Sequence, residues 1–154
     1  MDYQKQLHDA EKLIAQGLYV QAVRTAGSTL EGLYKDLYRD LLGRLPPAER
    51  EKVTQTEQRI GGGKPVGNFT LGQLMGLYRE AKLVSLLERH LNLSLPFMKS
   101  FNPTYFVDLR NRVTHEGAQV SEDEAQLVVQ QLRMLLKETG RLAPAPQPTP
   151  AAGT

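Results

Sequence analysis

The chain has 154 residues, 40% of them hydrophobic, with 19 lysines and arginines against 17 aspartates and glutamates for a formal charge of +2. That length suits one domain with a real core rather than two, and the near balance of charge excludes a molecule that is as a whole a trap for nucleic acid, leaving that role to a local basic cluster. The absence of cysteine excludes disulfides, thiolate zinc sites and cysteine nucleophiles, fits a reducing compartment, and leaves only histidine and carboxylates to hold a metal.

No stretch approaches the roughly 18 consecutive apolar residues of a membrane span, and the start M-D-Y-Q-K-Q-L-H is not a basic-then-apolar signal. A soluble, cytoplasmic protein is expected. Leu, Ala, Gln, Glu, Lys and Arg dominate, and there is no Trp; these are helix formers, so the expected fold is all-α.

The first helix runs from Tyr3 to Gln16, with Asp2 as N-cap and Gly17 as stop, and places Leu7, Ala10, Leu13 and Ile14 on one side. A longer one follows from Leu18 to about Leu42 with an apolar stripe wide enough for a central position. Gly27 and Gly32 interrupt its pattern at roughly 1 kcal/mol each against Ala, which implies close approach of a neighbouring helix. Pro46 and Pro47 end it; Ala48 to Ile60 reads as a polar helix, and G-G-G-K-P-V-G-N as a loop in the mobile part of the domain.

Thr70 caps a helix through Leu71, Leu74, Met75, Leu77, Tyr78 and Ala81, which Val84 to Leu93 continue or follow. Asn102 before Pro103 starts the next, read through Tyr105, Phe106, Leu109 and Val113 to Gly117. Ser121 with Glu124 forms a capping box for a last helix through Leu136. The whole reads as an antiparallel bundle of five to seven helices over residues 1–140. A Pro/Ala-rich tail over 141–154, including A-P-A-P-Q-P-T-P, has nothing to bury and is expected to be disordered.

Several tempting signals fail. G-G-G-K lacks the first glycine, the hydroxyl after the lysine and the preceding strand of a phosphate loop. The segment A-E-K-L-I-A-Q-G-L-Y-V-Q-A resembles one tetratricopeptide unit, but no second copy follows and a solenoid needs about three. His8 and His90 have no partner spacing for a metal and read as surface residues.

D-L-R-N-R-V-T-H-E-G, residues 108–117, is the one stretch dense in chemistry. On an ideal helix Asn111, Arg112 and His115 share a face, whereas Arg110 lies roughly 140° from His115. Composition alone also allows a charged helix end whose cations complement the macrodipole and pair with Asp108, Glu116 or Glu122.

Arg110-Asn111-Arg112-Val113-Thr114-His115, on a late helix followed by one more, resembles the signature of HEPN domains: Arg, four to six residues, then His, often with a polar residue after the Arg. Ala26 to Leu37 looks like the long second helix of such domains, and Phe69 to Leu74 like a segment of their relatives, so the likeness spans roughly residues 1–140. The resemblance implies a small helical bundle that dimerises and cleaves RNA without metal or cofactor, in toxins or defence effectors, some paired with an antitoxin or other protein. It assigns Arg110 to the scissile phosphate, His115 to proton transfer and Asn111 to orientation, with Arg112, Thr114 and Lys99 as further RNA or phosphate contacts. It equally implies a non-catalytic alternative, since members exist that bind nucleotides or proteins. Glu116, next to the histidine, either raises its pKa or quenches the local positive potential.

Overall fold

The computed structural model describes residues 1–143; the expected Pro/Ala tail lies, from residue 144 on, outside the described residues. All regular structure among them is helical. Eight α-helices run in order α1 Tyr3–Ala15, α2 Tyr19–Leu42, α3 Pro47–Gly61, α4 Leu71–Glu80, α5 Leu83–His90, α6 Pro96–Ser100, α7 Pro103–Arg112 and α8 Glu122–Glu138, with one 3₁₀ turn, Val66–Asn68, before α4.

The starts follow the side chains expected to cap them. Asp2 accepts from the Lys5 amide, Asn102 from that of Thr104, and Thr70 with Gln73 and Ser121 with Glu124 close two capping boxes. Each satisfies donors that the first turn leaves unpaired.

The count exceeds the expected five to seven by α6, and the region after α4 divides cleanly in two. Lys82 takes a left-handed conformation, φ 52°, which ends α4 and restarts the chain as α5. The short α6 exists because Glu138, at the end of α8, accepts the amides of Phe97 and Met98 at 2.6 and 2.9 Å. Glu88 likewise accepts the Leu95 amide at 2.8 Å. These ties cross up to 41 residues of sequence, so no local pattern announces them.

Helix α2 is the axis of the molecule. Ala22, Val23, Ala26, Leu30, Leu33, Leu37, Tyr38 and Leu41 are all buried along it, the stripe expected from its sequence. Helix α1 folds back along α2 through Gly17, so that the Tyr3 hydroxyl meets Asp36. Helix α7 also runs against α2, with Arg110 over Gly27 at one end and Thr104 sharing a cleft with Tyr34 at the other. Helix α8 runs with α2: the chain enters it beside Arg24 and leaves it where Arg141 pairs with Asp40 at 3.0 Å. The bundle is therefore antiparallel between chain neighbours α1 and α2 and mixed overall, which corrects a purely antiparallel reading. Packing continues past residue 140, because Leu142 also rests on the core.

Helix α3 buries only Val53 and Gly61, as its polar sequence leads one to expect. Its attachment is polar: Tyr38 donates to Glu57 at 2.6 Å, Arg59 pairs with Glu80 at 2.5 Å, and Arg50 donates to the Leu42 carbonyl. Glu49 also takes His90 Nε2 at 3.1 Å. His90 is thus an inter-helix tie with only 18% of its side chain exposed, not the plain surface residue expected from its spacing, while His8 is exposed.

Candidate functional site

Pro103 and the Asn102 cap launch α7 toward α2, and Phe106 and Leu109 bury its inner face. The helix stops at Arg112, five residues before the Gly117 end expected from sequence. The end is capped at Val113, after the amides of Thr114 and His115 have already turned back three residues to Asn111 and Arg112. In a longer helix the Val113 carbonyl would accept from the amide of residue 117; here Arg24 of α2 donates to it from Nε at 3.0 Å and Nη2 at 2.8 Å. The chain turns instead, with Thr114 donating to the Asn111 carbonyl from its hydroxyl at 2.6 Å and the His115 amide bonding to Arg112 at 3.2 Å. Gly117, φ 76°, completes the turn in a conformation that suits glycine.

This removes the Asn111, Arg112 and His115 helix face: His115 lies in the turn beyond α7. Both Asn111 and His115 are exposed, and neither side chain has a hydrogen-bond or ionic partner among the described residues. His115 and Glu116, though adjacent, form no ion pair among them.

The supporting cations divide sharply. Arg112 Nη1 pairs with Glu124 Oε2 at 2.9 Å, fastening α7 to α8. The Glu124 carboxyl is held below its ordinary pKa, first by the Ser121 amide and then by Arg112. Lys99 Nζ pairs with Glu88 Oε1 at 2.6 Å and lies toward the other end of α7, away from the motif. The Thr114 hydroxyl has already spent its proton on Asn111. Of the expected phosphate contacts, Arg112, Lys99 and Thr114 are engaged within the protein.

Arg110 is different. Its side chain lies across Gly27, where a Cβ would fall 2.2 Å from Cδ and 2.7 Å from Nε. Its Nε is buried and unpaired, and no carboxylate or carbonyl meets the guanidinium among the described residues. A buried donor left unpaired costs on the order of 1–3 kcal/mol, so α2 holds this arginine at a real expense. Gly27 thus accommodates a side chain of α7 rather than a helix backbone; Gly32 does the same for Met1.

Two contributors escaped the sequence reading: Arg24, which caps the end of α7, and Gly27 in its role beneath Arg110. Their signal was spacing, three apart on one face of α2, but nothing local tied that face to residues some 85 positions later. No group of three or more potential metal-ligating side chains gathers among the described residues. No helix there is long and apolar enough to cross a membrane. No family model, curated protein or solved structure matches the chain.

Proposed function

We propose that the protein is a metal-independent endoribonuclease of the HEPN type that acts as a homodimer, in the manner of a toxin or defence effector. The observation that carries this reading is Arg110, whose guanidinium lies over Gly27 with a buried, unpaired Nε, in the same motif as the unpartnered side chains of Asn111 and His115. A phosphate is the ligand that such a permanent, forked donor fits best.

In the proposed reaction Arg110 binds the nonbridging oxygens of the scissile phosphate, offsetting charge that builds as the ribose 2′-OH attacks. His115 takes the 2′-OH proton while the O2′–P bond forms and the P–O5′ bond breaks; the proton lost to the base is returned to the departing 5′ oxygen. Histidine suits both transfers because its ordinary pKa lies near neutrality. Asn111 orients the phosphate. A second copy supplies the other half of the site, since within one chain the helix end separates the arginine from the histidine turn.

A dimer through α7 and α8 has apolar surface to use. Tyr105 on α7 and Leu127 and Met134 on α8 are 37%, 43% and 42% exposed. The alternative, a non-catalytic binding module for a nucleotide or a protein such as an antitoxin, draws on the engagement of Arg112 and Lys99, which leaves fewer cations for an RNA backbone.

The test is cleavage of single-stranded RNA in EDTA, alongside the mass in solution. Wild type is expected to cleave as a dimer, and His115→Ala and Arg110→Ala to fail while remaining folded. A folded wild type without activity, or a His115→Ala variant with equal activity, rejects the catalytic reading; a nucleotide that raises Tm in its place supports the alternative.

A further inference from the structure

A cleft of about 450 Å³ opens at the end of α7 opposite the motif, between α4 and α5 on one side and residues 98–104 on the other. Its size falls in the usual range for small-molecule sites. The floor is apolar: Tyr78, stacked on Tyr34 with ring centroids 4.4 Å apart, is flanked by Met75, Met98, Val84 and Phe101. Stacked rings suit a flat occupant, and methionines adapt to its outline.

Several of the polar groups around this floor are already engaged. The Tyr78 hydroxyl donates to the Tyr34 carbonyl at 2.5 Å, the Ser100 hydroxyl bonds to carbonyls in its own turn, and Lys99 is taken by Glu88. Asn102 has spent its side-chain oxygen on the Thr104 amide, which leaves its NH₂ as a donor. Arg79 is exposed and has no hydrogen bond or carboxylate among the described residues. No Asp or Glu lines the cleft. What remains available is the Arg79 cation, the Asn102 NH₂ and the hydroxyls of Tyr34 and Thr104, which have no hydrogen bond among the described residues, around an otherwise apolar floor.

We infer that this cleft binds a small planar monoanion, an aromatic carboxylate, with its ring against Tyr78 and the two methionines and its carboxylate on Arg79 and the Asn102 amide. A nucleotide fits less well, because a single uncommitted cation serves one negative charge and a nucleoside phosphate carries about two. The inference is independent of the ribonuclease reading, since it uses none of the motif residues.

The chain has four methionines, so ¹³C-methyl methionine NMR gives two reporters in the cleft, Met75 and Met98, and two outside it, Met1 and Met134. Titration with 2-naphthoate is expected to move the first two saturably and leave the others. The uncharged isostere 2-naphthamide should bind about tenfold more weakly, the worth of a charge-assisted contact. Arg79→Gln, a change at an exposed residue, should make acid and amide bind alike. Equal movement of all four methyls, no preference for the acid, a preference unchanged in Arg79→Gln, or tighter binding of AMP than of naphthoate would each overturn the inference.

Discussion

The layer of α1, α2 and α8 and the layer of α3 to α7 share one apolar core but hold their helix ends by different means. In the first, long helices with continuous apolar stripes bury Leu30, Leu33, Leu132 and Leu135 completely. In the second, Leu74, Leu77, Leu83 and Phe106 are buried as completely, and side chains reaching across the fold add a hold on the ends of the shorter helices: Glu138 and Glu88 start and brace α6, and Arg24 caps the end of α7. Around α6 and at the end of α7, polar ties to the backbone add to the apolar packing. The candidate site lies on this second layer, where a single side chain caps the turn of the backbone.

The largest stability effect should come from the first layer. Leu30→Ala, at a wholly buried position, is expected to cost about 3 kcal/mol, the sum of lost transfer energy and a cavity that packed helices cannot close. Urea unfolding should show a lower midpoint with an unchanged slope. A cost under about 1 kcal/mol would mean that the layer collapses around the hole and is not the rigid half of the molecule.

Breaking a polar tie should cost less and act locally. Glu138→Ala removes the acceptor of two amides, each a charge-assisted bond, for a loss of about 2 kcal/mol. Hydrogen exchange at Phe97 and Met98 should accelerate well beyond that at α2 amides. Equal acceleration everywhere would show that α6 opens only with the whole domain, removing the distinction between the layers.

The pH response should follow the same division. Glu88 and Glu124 both titrate below the ordinary carboxylate range, Glu88 chiefly through Lys99 and then the Leu95 amide, Glu124 chiefly through the Ser121 amide and then Arg112. A carboxyl whose folded pKa is depressed stabilises the fold above its unfolded value, 4.5, and that contribution is lost as pH falls from there through the folded value. Amides near Leu95 and Ser121 should therefore exchange faster on acidification through that window, after correction for intrinsic rates. Both side chains are partly exposed, 21% for Glu88 and 26% for Glu124, so solvent screening reduces the effect on global stability.

The division also explains how much was legible in sequence. Caps at Asp2, Thr70, Asn102 and Ser121 are local, each side chain within three residues of the amide it serves, so helix starts could be read directly. The α2 stripe was legible because periodicity is a property of the helix itself. The end of α7 was not, since its cap is Arg24, 89 residues away from Val113, and the His90 tie depends on Glu49, 41 residues away. The motif was found by residue type and order, but its geometry was misjudged, because ideal helical angles were carried past Arg112, where the helix stops and Arg24 caps the turn that follows.

Gly27→Ala separates the two layers at the place where they meet. In a helix interior the change favours α2 by up to about 1 kcal/mol, but the new methyl must displace Arg110, and the two effects should leave stability within about 1 kcal/mol of wild type. The functional consequence should be disproportionate. With Arg110 dislodged, RNA cleavage should fall at least tenfold, in kcat rather than KM if the arginine acts mainly on the transition state. The Arg110 Nε–H resonance, shielded in the wild type because that atom is buried, should at the same time begin to exchange rapidly with water. If its exchange stays slow, the arginine has not moved and Gly27 is not its seat; if exchange quickens while cleavage persists, Arg110 is seated by α2 but does not act on the phosphate.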